Sequence, residues 1–334
     1  MGGKKLEALI PEIGLYTVEL SPSAMRAGGP KAAVQMLTRN ASVAFAQEDH
    51  KVVRRGAKTP NDKDFAKQWD MLEASKWGID AVGAWGNLGT GGFDAAGNEI
   101  VVAVVDGGVD AKHEDLAANM WTNKGEIAGN GIDDDKNGYV DDIHGWNAYN
   151  DNAVIPADRH GSHVAGTVGA RGENQIGVSG VNMNVKIMAV AGASGNTSTV
   201  LRAYGYVLAQ KKLWLSSGGK EGANVVSTNS SFGIDRGNCN STQYKVWNDI
   251  YNEMGKAGIL SAAATANAGW DIDTVGDVPT GCDSPYIISV TNSTNTGKKA
   301  GSAGYGITTI DIAAPGTGIY STLPNNRYGN LTGT

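Results

Sequence analysis

From about residue 60 onward, short apolar runs alternate with stretches of helical spacing, and this alternation limits the chain to few architectures. The candidate strands are Ile100–Val105 (IVVAVV), Val185–Val190, Ala223–Val226, Ile259–Ala264, Ile287–Val290 and Ile310–Ala313. Between them, Ser198–Trp214 and Gln243–Lys256 carry helical spacing. Strands separated by helices read as βαβ units around a mainly parallel sheet. The stretch Asn119–Asp158 is rich in Gly, Asn and Asp and reads as an irregular insertion, a kind of loop that usually carries function.

Ahead of this region lies a different texture. A strand at Leu15–Leu20, a helical stretch at Lys31–Arg39 and a strand-like run at Val43–Ala46 predict a small α+β unit over residues 1–57. The basic, turn-forming segment Arg54–Asp62 then reads as a linker, which puts a boundary near residue 58 and the second domain over 58–334.

Composition excludes several classes. The formal net charge is −6 and 19% of residues are charged, so a nucleic-acid grip built on a basic face is not expected. No apolar run approaches the length of a membrane span, and the first residues, MGGKKLEALI, lack the apolar core of a signal peptide. Glycine, at 47 residues in 334, stands at roughly twice its usual share and implies many tight turns and close backbone approaches. The two cysteines, Cys239 and Cys282, sit in polar, turn-rich sequence that suits a surface bridge in an oxidising compartment, two free thiols being the alternative.

Asp106 directly follows the first core strand, where ligands of open α/β sheets gather, and Gly107-Gly108 let the chain turn away from it. His160 opens a run of small residues, HGSHVAGTVGA, able to form a tightly packed helix. An imidazole there could be held by a carboxylate on one nitrogen and take a proton on the other. Zinc on His160 and His163 is disfavoured by their spacing, and His163 reads as a core histidine. The sequence holds no GxxxxGK(S/T), GxSxG or GxGxxG motif, which removes common nucleotide and α/β-hydrolase readings.

VAVVDGGVD (Val102–Asp110) followed by HGSHVAGT (His160–Thr167) resembles the Asp and His motifs of the subtilisin-like serine peptidases, in that family's chain order. The resemblance runs from about Thr59 to the last residue, and residues 1–57 resemble part of an inhibitory propeptide of the I9 type. It implies a three-layer α/β fold with helices on both faces of the sheet. It also implies a secreted serine endopeptidase made as a zymogen, acting on protein and peptide substrates and held by its own propeptide. Asp106 would orient His160, the general base, and Asn267 would donate to the oxyanion. Around Asn267 the sequence departs from the family's AAAGN, since Thr265-Ala266 stands where a glycine is expected. Ser230, Ser231, Phe232 and Gly233 on one side, and Ser194 and Gly195 on the other, resemble the edges that pair with extended substrate. The chain ends Gly333-Thr334, where the family's Gly-Thr-Ser-Met-Ala carries the nucleophile, so an incomplete catalytic domain is expected, inactive as written. A non-catalytic, calcium-binding regulatory module is the alternative. Self-cleavage is expected between Arg54 and Pro60.

Calcium is expected at two places. NGIDDDKNGYVDDIH (Asn130–His144) places Asp133, Asp135 and Asn137 at alternate positions before Gly138, with Asp142 or Asp141 to close the site; its start resembles an EF-hand loop but lacks the final Glu. A second site is implied by resemblance alone, on Asp62, Asp115 and Asn174.

Overall fold

The structure is a computed structural model describing residues 3–50, 59–73 and 76–334. Contacts divide the chain into two units, Met1–Arg55 and Gly56–Thr334. The expected junction at 57/58 lies outside the described residues.

In the first unit, β1 (Gly3–Ile10) and β2 (Leu15–Leu20) form an antiparallel pair, followed by α1 (Pro22–Arg26) and α2 (Gly29–Thr38). Ser21 caps α1, its Oγ accepting from Ala24 N–H. The expected strand at Val43–Ala46 does not form. β2 instead pairs with the segment just before it, across a tight turn closed by Gly14 at φ 67°, and a short loop costs less entropy to close than a long one.

The second unit begins with α3 (Ala81–Leu88). It continues through β3 (Val101–Asp106), β4 (Gly145–Asn147), α4 (Arg159–Gly169), β5 (Lys186–Ala191), α5 (Thr197–Ser216), β6 (Val225–Ser230) and β7 (Ile234–Asp235). There follow α6 (Lys245–Lys256), β8 (Leu260–Ala264), α7 (Ile272–Val275), β9 (Asp277–Val278), β10 (Ile287–Ser293) and β11 (Ile312–Pro315). The hairpin of β12 (Ile319–Leu323) and β13 (Arg327–Leu331) comes last. Seven strands build one parallel sheet in the order β11-β10-β8-β6-β3-β5-β4. All six expected core strands are in it. The seventh, β4, emerges from the Asn119–Asp158 insertion, which is otherwise made of turns and one short 3₁₀ turn.

Alternation along the strands divides the core into two layers. Val101, Ala103, Val105, Met188 and Val190 face α5 and α6, meeting Tyr204, Val207, Trp247 and Tyr251. Val104, Ile187 and Ala189 face the other way and meet Ala165 of α4 together with Val109, Leu116 and Val178. Because both faces are covered, the strands are apolar at successive positions, and each buried Val or Ile contributes roughly 1.5–3 kcal/mol. β3 lies between β5 and β6, so the chain leaving β5 through α5 crosses to the opposite side of β3. A crevice opens at the carboxyl ends of these strands, the usual position for a ligand in such sheets.

Candidate active site

Asp106 is the last residue of β3 and is 3% exposed. After it the chain turns through Gly107 and Gly108, the latter at φ 134°, a conformation that side-chain-bearing residues avoid. The segment following β5 closes over the strand end, with Gly192 N–H and Ala193 N–H donating to the Asp106 carbonyl at 2.8 and 3.2 Å.

α4 brings His160 to the same place. Asp158 caps the helix, its Oδ1 accepting from His160 N–H and Gly161 N–H at 2.8 Å each. Small residues let the helix seat deeply: Gly161 against Gly108, Gly169 against Val185, and Gly166 against Ser321 and Thr322 of β12. Ser321 Oγ donates to the His163 carbonyl at 2.8 Å and Thr322 Oγ1 to the Ser162 carbonyl at 2.6 Å, which joins the helix to the β12–β13 hairpin. His163 is buried and donates Nε2–H to the carbonyls of Ile319 and Gly329, and desolvation holds its pKa below the ordinary value. It is the core histidine the sequence suggests.

His160 Nδ1 stands 2.9 Å from both carboxylate oxygens of Asp106. A carboxylate only accepts, so Nδ1 carries the hydrogen and the lone pair is left on Nε2. The imidazole side chain is 53% exposed while the carboxylate behind it is buried. The hydrogen bond to Asp106 is the main cause of a raised His160 pKa. Among the described residues, nothing hydrogen-bonds Nε2.

Asn267 lies just beyond β8, exposed, with the chain terminus folded against it. Thr334 N–H donates to Asn267 Oδ1 at 3.1 Å, and this fixes which end of the amide is oxygen. The Nδ2 donor has no acceptor among the described residues. Of the expected substrate edges, Ser194 and Gly195 are exposed beside Tyr149, whose hydroxyl meets Ser194 Oγ at 2.9 Å. Ser231 and Phe232 are half-buried and Gly233 is exposed. Phe232 also packs on Tyr204, with ring centroids 6.2 Å apart. Ser230 departs from expectation. It sits inside the sheet between β3 and β8, with Oγ bonded to Tyr204 Oη at 2.7 Å, so its side chain belongs to the core.

In the acidic loop, Asp133, Asp135 and Glu126 bring carboxylate oxygens within 4.8 Å of one another. Asn137 Nδ2 donates to Asp135 Oδ2 at 3.1 Å. Asp142 is fully buried and turned toward α5, where Tyr206 Oη and Gln210 Nε2 donate to it at 2.7 Å; desolvation pushes its carboxyl up to about 7. Asp141 instead accepts the N–H groups of Gly129, Asn130 and Gly131. Glu126, which the sequence reading missed, joins Asp133 and Asp135 in this cluster while also accepting the N–H groups of Asp134, Asp135 and Asp141. The second set does come together: Asp62 accepts from Glu173 N–H and Asn174 N–H, and Asp115 from Asn174 Nδ2 and Val178 N–H. Burial pushes Asp115 up to about 6. Both sets offer hard oxygen donors of the kind calcium takes.

A family model described as the subtilase family (peptidase S8) matches residues 97–334. The chain belongs to the subtilase family. It is 31% identical over 260 residues to Subtilisin-like protease 1 of Plasmodium falciparum (isolate 3D7), covering 70% of this chain and 35% of that protein. To the Extracellular protease of Xanthomonas campestris pv. campestris it is 32% identical over 287 residues, covering 79% of this chain and 44% of that one. This subtilase therefore spans less than half the length of these relatives. Among solved structures, the proteases from Pseudoalteromonas arctica PAMC 21717 superpose with a TM-score of 0.58 at 25% identity, over 83% of this chain and 82% of that one. The seven-stranded parallel sheet with helices on both faces is the three-layer α/β fold of subtilisin-like proteins.

The subtilase also holds site features that motif reading passed over. Glu126 lies outside the alternating acidic run, and Asp277 opens the short strand β9 with no flanking motif. The β12–β13 hairpin braces α4 although its sequence is polar. Only the buried positions of these groups mark them.

Proposed function

We propose that this subtilase is the catalytic framework of a secreted serine endopeptidase that hydrolyses peptide bonds by acyl transfer. The observation that carries the reading is His160 Nδ1 at 2.9 Å from both oxygens of a buried Asp106, at the switch point of a parallel sheet. Asp106 holds the imidazole in the tautomer with Nε2 unprotonated and stabilises the imidazolium once it forms. His160 Nε2 takes the proton of a serine hydroxyl as that oxygen attacks the substrate carbonyl, then returns it to the leaving amine. Asn267 Nδ2, without an acceptor among the described residues, donates to the oxygen that becomes negative. A serine hydroxyl within reach of His160 Nε2 completes this reading. Substrate lies extended along Ser231–Gly233 and Ser194–Gly195, bound through main-chain hydrogen bonds.

Calcium is assigned to Glu126, Asp133 and Asp135, near Asn137 and Asp142, and to the second set, Asp62, Asp115 and Asn174. It would supply charge neutralisation and crosslink these loops. Residues 1–57 serve as the inhibitory propeptide. Cleavage falls between Arg54 and Pro60, of which Arg54–Lys58 lie outside the described residues; a mature N-terminus far from there would contradict it.

The deciding experiment labels the gene product, read past Thr334, with a fluorophosphonate. Labelling of the unsubstituted protein that is lost in His160→Ala supports the reading. No labelling of a folded protein overturns it.

A further inference from the structure

Asp158 stands two residues before His160 and is half-buried. Capping α4 uses only one of its oxygens: Oδ1 accepts from both His160 N–H and Gly161 N–H, while Oδ2 has no hydrogen-bond partner among the described residues. A cap by itself needs no charge, since Asn and Ser serve that position as well as Asp. The carboxylate is also set close to the Asp106–His160 pair. A Cβ built at Gly107 would stand 2.7 Å from Asp158 Cγ, so the glycine directly after Asp106 makes the room that Asp158 fills. The neighbouring turn is equally tight, with a Cβ at Gly108 coming to 2.2 Å from the Pro156 carbonyl oxygen. One oxygen of Asp106, one of Asp158 and one ring nitrogen of His160 consequently lie within 4.8 Å of one another.

Two carboxylates at such a distance repel each other unless a cation stands beside both. Among the described residues, no Lys or Arg forms an ion pair with either one. Arg159 is exposed, and burial holds the pKa of His163, further along α4, below the ordinary value. Of the strands packed on α4, β12 carries no charged residue, and Lys186 of β5 is engaged by the Ala118 carbonyl at 2.9 Å. Arg327 of β13 donates to the Pro324 carbonyl, and Asp110 accepts from Lys112 N–H and Asn325 N–H. The group left to balance Asp106 and Asp158 is the His160 ring, and it does so only as imidazolium. Its pKa is raised chiefly by the hydrogen bond to Asp106, against desolvation, and the charges of Asp106 and Asp158 both add to the rise.

We propose that Asp158 is a second carboxylate of the proton-handling pair, a positioning residue that places His160 through its backbone N–H and whose charge stabilises the imidazolium. Asp106 then fixes the tautomer and the ring orientation, and Asp158 fixes where the helix presents the ring. Both charges favour the state in which Nε2 has taken the proton. The use of this arrangement in catalysis rests on the peptidase reading above; the coupling of Asp158 to the ring does not depend on the serine.

The test follows the pH titration of the His160 ring by NMR in the 334-residue chain, its resonance being identified by its loss in His160→Ala. Asp158→Asn keeps a capping oxygen and removes the charge. The midpoint is expected to fall by at least about half a pH unit, the size that a unit charge at this separation gives. Asp158→Ser keeps a cap as well and should give the same fall, so it decides the matter if the Asn protein does not fold. An unmoved midpoint in the folded variants would overturn the proposal. Asp158→Ala should lower the melting temperature in addition, through loss of the cap; a lower melting temperature with no change in midpoint marks a structural cap alone and overturns the proposal too. In the active parent, Asp158→Asn should move the acid limb of kcat/KM down by the same amount and lower kcat about threefold with KM unchanged. A moved midpoint in a protein that no fluorophosphonate labels would support the pairing and remove the peptidase reading. Labelling with an unmoved midpoint would do the reverse.

Discussion

Gly161 rests on the carbonyl oxygen of Gly108: a Cβ at position 161 would come within 2.0 Å of that oxygen and 2.9 Å of Asp106 Cβ. The contact sets how closely the start of α4 approaches the end of β3, and so the reach of His160 to Asp106. Gly161→Ala must push the helix back. We expect a stability loss of about 1–3 kcal/mol, the usual range for overpacking, and a fall in kcat of the active parent of about 10² from misplacement of the base. Thermal melting and fluorophosphonate labelling rates on the same protein check both.

The proton balance of His160 gives a pH prediction. Its pKa is raised, chiefly by the hydrogen bond to Asp106, and general-base action needs the neutral ring. Activity of the parent should therefore rise with pH through a midpoint above the ordinary histidine value of about 6.5. Asp106→Asn should move that midpoint down and lower kcat by about 10⁴. The same shift stabilises the fold fully below the unfolded histidine's pKa, and this contribution is lost as pH rises through the folded value. A pH–rate profile whose acid limb does not move in Asp106→Asn would contradict the pairing.

Chelation should lower the melting temperature, because a ligand bound only by the native state at a hundredfold excess over its Kd contributes about 2.7 kcal/mol. Glu126→Gln should weaken calcium binding as strongly as Asp133→Asn, since the two carboxylates meet in one cluster. Asp141→Asn should matter less to calcium, because Asp141 is not among the carboxylates that converge within 4.8 Å. Isothermal titration with calcium on the three variants separates these outcomes.

Cys239 and Cys282 are joined in a disulfide across 43 positions. The bridge anchors the turn after β9, in which Gly281 N–H donates to the Asp277 carbonyl at 2.8 Å. Reduction should destabilise the fold by about 3–4 kcal/mol on the loop-entropy view. Comparing melts with and without reductant, alongside Cys239→Ser with Cys282→Ser, measures it.

The sheet was legible because burial on both faces makes its strands mostly apolar: Ile100–Val105 without interruption and the other five runs with one polar residue each, and all six lie in it. β4 was not, because Gly145–Asn147 is short and embedded in polar turns. β1 was missed because KKLEALI mixes residues that favour helices, and its partner in β2, not its own propensity, makes it a strand. Asp106 and His160 could be found because each is welded to a local signal, a strand end and a capped helix. Ser230 was misread because a motif names a segment, whereas the pleat decides which side chain enters the core. Glu126 and Asp277 had no local signal at all, since only folding reveals that three acids converge or that one oxygen lacks a donor.

The joints between α4 and the β12–β13 hairpin have a consequence for how this molecule can change. The imidazole rides on the helix and the hairpin leads on to Thr334 beside Asn267, so His160 and the contact at Asn267 are tied to one braced block. The stretches 192–195 and 231–233 stand outside it. Substitutions in those stretches can thus reshape the rims of the crevice while the helix that carries His160 stays braced.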